Sequence, residues 1–171
     1  MIQCADMSTI DHPAVARVAA ALQALGHPEP PTWLSGAVHT AAEAATQLQV
    51  PLGAIAKSVL MRAGDGAVLC ITAGDRRVAA ERLPAALGPV RRADADAVRR
   101  HTGFAIGGVS PLGLAPAEGA SAPVLLMDES LWRFERVWAA AGHPHAVFPA
   151  TPDEMLRLTG AQRCALSAEP Q

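Results

Sequence analysis

Tyrosine is absent from this chain of 171 residues, and aromatic residues together make up only 4%. Ring-on-ring packing therefore cannot organise the interior. Aliphatic side chains and close contacts among 37 alanines must do so. Cysteine is scarce: Cys4, Cys70 and Cys164 are odd in number, far apart and without metal-ligand spacing. That excludes a disulfide framework or a zinc site and reads as reduced thiols. No run approaches the roughly 18 apolar residues that span a bilayer. The N-terminus carries Asp6 and Asp11 and no basic stretch, so a secretory signal is not expected and the cytoplasm is the default location. Excess positive charge is lacking too. A net charge of −2 excludes a globally basic nucleic-acid coat and leaves room for a local basic face.

What is present is an ordinary globular composition, 50% apolar and 18% charged, of a length that suits one domain. The expected division is a loose arm over 1–12, one domain over 13–160 and a fraying tail over 161–171. Among fourteen basic residues thirteen are arginine, which makes Lys57 the one compact, strongly hydrated ammonium in the chain.

The hydrophobic pattern predicts an irregular mixture of helices and strands. Asp11 and Pro13 start a helix carried by Val15, Val18, Leu22 and Leu25 and stopped by Gly26. Thr32–His39 reads as a strand, and Thr40 with Glu43 as a capping box for a helix to about Leu48. Ala56–Ala63 and Ala67–Ala73 flank Gly64-Asp65-Gly66, a hairpin with Lys57 at its start. Val78–Leu87 reads as a helix kinked at Pro84, Val90–Ala93 as a strand, and Asp94 as the cap of a helix ending at Gly103. Strands follow at Val124–Met127, Val137–Ala140 and Ala146–Pro149, then a helix from Thr151 to Thr159. Interleaving of this kind predicts a mixed α/β fold, one mixed sheet with helices packed around it.

Familiar catalytic signatures are missing: no Walker loop, nucleophile elbow or H-E-x-x-H helix occurs. The unusual segment is Gly103–Pro116, which holds four glycines and two prolines yet stays apolar. A long loop of that kind is either a structural turn or a functional one. The functional reading has Gly107 and Gly108 exposing backbone N–H groups that hold a carbonyl oxygen or oxyanion, with Lys57 nearby to bind an anion. Such parts suit hydrolysis of an activated ester without a covalent nucleophile. Asp128 and the turn Gly142–His145 are further candidates; their bland readings are a cap and surface histidines.

At these residues the chain resembles the YbaK/EbsC family of aminoacyl-tRNA deacylases, related to the editing insertion of bacterial prolyl-tRNA synthetase. The likeness runs from about His39 to Gly160. It rests on Ala56-Lys57-Ser58, Ala73–Val78, Gly107–Gly113, Met127–Leu131 and Ala141–His145, five motifs in the family's order. The resemblance implies a partly barrel-like sheet and, in trans, removal of a wrongly attached amino acid from tRNA, with no metal and no cofactor. It matches Lys57 to the family's functional lysine, Gly107 and Pro111 to its Gly-x-x-x-Pro loop, whose backbone shapes the amino-acid pocket, and His143 to a site position of some members. With the reading of the residues above, the expected site is Lys57, Gly107 and Gly108 for the reaction and Val109, Ser110, Pro111, Asp128 and His143 for binding substrate. Ser58 stands where some alanine-specific members have Asn.

The expected partners are a mischarged tRNA, tRNA(Pro) carrying Cys, Ala or another small amino acid, and a synthetase such as prolyl-tRNA synthetase. Neither DNA nor membrane is expected. Arg76, Arg77, Arg91, Arg92, Arg99 and Arg100 give residues 74–103 a surplus of positive charge, which reads either as a tRNA footprint or as a solvated face. A non-catalytic tRNA-binding or regulatory module and a small-molecule binding protein on the same fold are the rival readings.

Overall fold

A computed structural model describes residues 12–36 and 38–170, so the expected N-terminal arm, including Asp11, lies outside the described residues apart from His12. The helices are α1 (Pro13–Ala24), α2 (Ala41–Leu48), α3 (Ala95–Thr102) and α4 (Pro152–Thr159). The strands are β1 (Thr32–Trp33), β2 (Ile55–Ala63), β3 (Gly66–Ala73), β4 (Arg77–Val78) and β5 (Val90–Arg92). They continue with β6 (Val124–Asp128), β7 (Val137–His143), β8 (Ala146–Ala150), β9 (Gln162–Cys164) and β10 (Ser167–Ala168).

Eight strands form one mixed sheet in the order β1-β8-β7-β2-β3-β6-β9, with β5 added beside β2; β10 and β4 make a separate ribbon. The long β2–β3 hairpin is its spine, paired without interruption from Ala56↔Ala73 to Ala63↔Gly66. Alternation along β2 explains the two apolar clusters on its faces. Ala56 and Leu60 point to the side covered by Val15, Val18 and Leu22 of α1, Val98 of α3 and Phe104. Met61 points to the other side, with Val68 and Cys70, under Leu83 and Leu166.

The other edge of β2 is shared by two strands. β7 runs parallel to it at Ile55–Ala56, and β5 antiparallel at Met61–Ala63. Between these contacts, from Lys57 to Val59, no strand covers β2. The sheet forks there.

The capping boxes at Thr40 and Thr151 and the Asp94 cap are observed. At α1 the cap is His12, whose Nδ1 accepts from the Val15 N–H at 3.4 Å. The strand expected over 32–39 is reduced to its first two residues. Nor is Val78–Leu87 a kinked helix. It is β4 followed by short 3-10 turns at Ala80–Arg82 and Ala85–Leu87, because Pro84 offers no N–H and holds Leu83 extended.

The tail is the larger correction. Residues 161–168 do not fray: β9 pairs with β6, β10 pairs with β4, and Leu166 is fully buried. Asp128 holds it in place. Its carboxylate, 2% exposed, accepts from the N–H groups of Leu166 and Ser167 at 2.9 and 3.1 Å and from the Ser167 hydroxyl at 2.6 Å. The N–H and hydroxyl of Ser130 donate to it as well. Burial alone would raise the Asp128 pKa, but these bonds from Ser130, Ser167 and Leu166 together hold it below the usual carboxylate range.

A carboxylate with a depressed folded pKa stabilises the fold above its unfolded value near 3.9, and the contribution disappears as pH falls through the lower folded value. Asp128→Asn is therefore expected to cost about 3 kcal/mol, since several charge-assisted bonds are lost together. Thermal melts of both proteins from neutral pH to below pH 4 test this. The gap in Tm should close at the acid end, and a constant gap would refute the electrostatic anchor.

Candidate functional site

The fork in the sheet opens into a cleft of about 330 Å³. Its apolar lining includes Ile55, Leu60, Val98, Val109, Trp138 and Val147. Two side chains bring positive charge, Lys57 from β2 and Arg92 from β5, and among the described residues no Asp or Glu lines the cleft. Burial pulls the Lys57 pKa below that of a free lysine, the Arg92 charge lowers it further, and Asp75 partly opposes both. Asp75 is already engaged, accepting from both terminal nitrogens of Arg133 at 2.9 and 2.6 Å. Lys57 is partly buried and Arg92 exposed at the rim, and among the described residues no counter-charge lines the cleft. An anionic ligand is what the pair favours.

The main chain of β2 adds polar groups. The Ala93 N–H donates to the Leu60 carbonyl at 3.1 Å, so Leu60 turns its backbone toward β5. By the two-residue period Ser58 turns its own N–H and C=O to the same edge, into the gap. The Ser58 hydroxyl is buried there without a hydrogen-bond partner.

The expected site residues divide. Lys57, Gly107, Val109 and Arg92 are brought together around the cleft. Gly107 has φ +95°, a backbone conformation that glycine adopts freely, and a Cβ there would sit 3.4 Å from Pro144 Cγ. Its N–H meets no acceptor among the described residues. Gly108 does not present a free amide: its N–H donates to the Ala105 carbonyl at 3.1 Å. A Cβ on Gly108 would lie 2.9 Å from both Cα and N of His143, so this glycine lets the loop press against β7. Ser110 is fully buried and its hydroxyl accepts from the Leu112 N–H, while Pro111 is buried outside the cleft lining.

Asp128, expected at the site, is the tail anchor described above and does not line the cleft. His143 stands behind the wall rather than in it. Its ring packs on His12, Trp33 and His145 with centroids 4.9, 5.2 and 5.1 Å away, and its Nδ1 accepts from the His145 N–H at 3.0 Å. His145 Nε2 in turn accepts from the Val38 N–H at 3.2 Å, tying this turn to the 38–40 side of the cleft. Of the arginine pairs only Arg92 reaches the cleft; Arg76 pairs with Glu169 at 3.5 Å, and Arg77, Arg91, Arg99 and Arg100 are exposed on β4, β5 and α3.

Sequence reasoning missed the wall of Val38, His39 and Thr40, the place of Trp138, and the buried Ser58 hydroxyl that has no hydrogen-bond partner among the described residues. Only Ser58 had a signal, its adjacency to Lys57. Among the described residues no group of three His, Cys, Asp or Glu side chains is placed to hold a metal ion. None of the described helices is long and apolar enough to cross a membrane.

With this geometry in view, comparisons with known proteins are informative. The family model for the aminoacyl-tRNA editing domain matches residues 35–162. An uncharacterised protein of Bacillus subtilis (strain 168), YwhH, is 35% identical over 118 residues, covering 68% of this chain and 72% of that one. A crystal structure described as a candidate trans-editing enzyme for prolyl tRNA synthetase is 37% identical, with a TM-score of 0.82, over 91% of this chain and 98% of its own. A hypothetical protein, APE2540, is 28% identical with a TM-score of 0.80, over 89% and 99% of the two chains.

Two outcomes follow from the local geometry. Gly108→Ala should lower Tm by several degrees, because its methyl meets backbone rather than a movable side chain, whereas Gly107→Ala should lower it less. Equal melting temperatures for Gly108→Ala and the parent would show that the loop does not press on β7. The second outcome concerns pH. Burial first, then His12 and His145, lower the His143 pKa. The unfolded chain then takes up the proton before the folded one, so stability contributed by neutral His143 is present above about pH 6.5 and is lost as pH falls toward the folded value. Tm measured from pH 7.5 to 5 should decline, and His143→Gln should flatten that slope.

Proposed function

The chain belongs to the aminoacyl-tRNA editing domain family, and on that premise we propose that it is a deacylase hydrolysing, in trans, the ester that joins a wrong amino acid to a tRNA. The observation that carries this reading is the cleft itself: two cations, an apolar lining and, among the described residues, no carboxylate and one unpaired glycine amide. An aminoacyl-tRNA end offers the complement of each, namely phosphates, a small side chain and an ester carbonyl.

In this mechanism Lys57 and Arg92 hold the phosphate and ribose of the terminal nucleotide. The Gly107 N–H faces the ester carbonyl oxygen and strengthens its bond as negative charge develops there. A water molecule held against the Ser58 main chain attacks the carbonyl carbon. The carbon–oxygen bond to the ribose breaks, and the water's proton passes to the ribose oxygen that leaves. No protein nucleophile is needed, because the ester is already activated and the protein supplies position and charge.

A cleft of about 330 Å³ with an apolar lining suits a small amino acid. Synthetases discriminate poorly between side chains that differ by a methylene, which is the error a second, small sieve corrects. We assign the substrate as tRNA(Pro) carrying Ala, Cys or another small residue; the neighbour described for prolyl tRNA synthetase supports the tRNA and the cleft size supports the amino acid. The proposed chemistry draws on no metal; among the described residues no three His, Cys, Asp or Glu side chains are placed to hold one.

Deacylation of a panel of mischarged tRNAs tests this directly. Small amino acids on tRNA(Pro) should be released, and activity should persist in chelator. Lys57→Ala and Arg92→Gln should each reduce kcat/KM by about tenfold or more while leaving Tm nearly unchanged. Lys57→Arg should also be impaired, because a planar fork does not fit where a compact ammonium did. Binding without release across the whole panel would make the protein a tRNA-binding module instead, and abolition by chelator with rescue by zinc would refute the metal-free mechanism.

A further inference from the structure

A second cleft, of about 530 Å³, lies on the α3 side of the β2–β3 hairpin. Its charged lining consists of Arg62 on β2, Asp65 in the hairpin turn, Asp94 and Asp96 at the start of α3, and Arg100 further along that helix. His101, 4% exposed, lies beside them with its Nδ1 3.0 Å from the Ser121 carbonyl. As donor in that bond, Nδ1 leaves Nε2 as an acceptor.

Opposite charges ring this cavity without having paired. Among the described residues neither Arg62 nor Arg100 forms an ion pair, and Asp65 and Asp96 accept no hydrogen bond. The Nε of Arg62 is buried with no hydrogen-bond partner among the described residues, an expensive state for a guanidinium donor. The charge pattern selects the ligand. Three carboxylates repel a bare phosphate, and two guanidiniums repel a bare cation. A flat, neutral group with a donor next to an acceptor satisfies both kinds of side chain.

The position of the cleft narrows the choice further. Ala93 and Val98 line the first cleft, whereas Asp94 and Ala97 line the second, so the first turn of α3 is the wall between them. Leu60 and Arg62 connect them in the same way along one face of β2. A strand of nucleotides leaving the first cleft therefore passes the mouth of the second.

We propose that this second cleft holds the base of an unpaired nucleotide of the tRNA acceptor end, a base with an exocyclic amine beside a ring acceptor. The assignment rests on the deacylase reading above. Carboxylates accept from the amine and Arg62 donates to the ring acceptors, the pairing chemistry by which such bases are read elsewhere. Cytosine, with N4 beside N3, and adenine, with N6 beside N1, present that edge, and guanine offers its N2 amine beside N3; uracil, with no amine, does not. The nucleotides before the terminal adenosine of a tRNA are cytosines, which makes cytosine the expected occupant.

The test is equilibrium binding of end-labelled trinucleotides without an amino acid, CpCpA, GpGpA and UpUpA, to the full chain by fluorescence anisotropy. CpCpA should bind about tenfold tighter than UpUpA. Arg62→Gln should abolish that preference, while Lys57→Ala should weaken all three alike. Tightest binding of GpGpA would support the base site with a stem guanine as its occupant. Asp96→Asn, at an exposed helix position, provides a second variant in case Arg62→Gln melts early, and should also reduce the preference. Equal binding of all three, or a preference that survives both substitutions, overturns the proposal. So does Arg62-dependent binding of free alanine in place of any trinucleotide. Hydrolysis of mischarged tRNA is scored separately, so failure of the base site and failure of the deacylase reading give different results.

Discussion

Everything proposed for this protein depends on one strand having two neighbours on the same edge. β2 cannot pair with β7 and β5 at the same residues, so the two share it, one at Ile55–Ala56 and the other at Met61–Ala63. Main-chain donors and acceptors that a sheet would normally consume are left facing a gap. Buried polar backbone must find a partner in protein, water or ligand. Here the gap is also where Lys57 begins its exit from the sheet and where Arg92 arrives from β5. The fork creates the cleft, supplies its polar edge and gathers its charge in one step.

The surrounding elements keep that fork from closing. α1 and α3 pack on the face that carries Ala56 and Leu60, so β2 is held flat against the core. The Gly107–Pro111 segment presses on β7 through Gly108 and offers Gly107 to the cleft, which divides two adjacent glycines between packing and the cleft lining. On the far face, Asp128 bonds the tail over Leu166 and closes the second apolar cluster. These are separate devices. The tail sets stability, and the loop sets the shape of the site.

The histidines follow a related division. His12, His143 and His145 each accept a backbone N–H through a ring nitrogen, from Val15, His145 and Val38 respectively. An imidazole can accept only while that nitrogen is unprotonated. The three rings therefore join α1, the β7–β8 turn and the 38–40 wall. This places His143 among the groups that shape the cleft from behind, and explains why a residue close in sequence to Pro144 does not line it.

Much of the architecture was legible in the chain alone, because local chemistry decides it. The hairpin around Gly64-Asp65-Gly66, the capping box at Thr40, the caps at Asp94 and Thr151 and the alternation of β2 and β3 all follow from turn geometry, orphan N–H groups and a period of two. The singular Lys57 and the glycine loop could be marked as site residues on chemical grounds. Tertiary structure alone decided the rest. It settled which glycine amide stays unpaired, which of several arginines meets Lys57, and that Asp128 and residues 161–168 bind each other. Those outcomes depend on contacts between segments far apart in the chain, such as Asp128 with Leu166 or Leu60 with Ala93. No local propensity encodes a pairing partner. The same carboxylate that caps a turn when alone becomes an anchor when a distant strand delivers N–H groups to it.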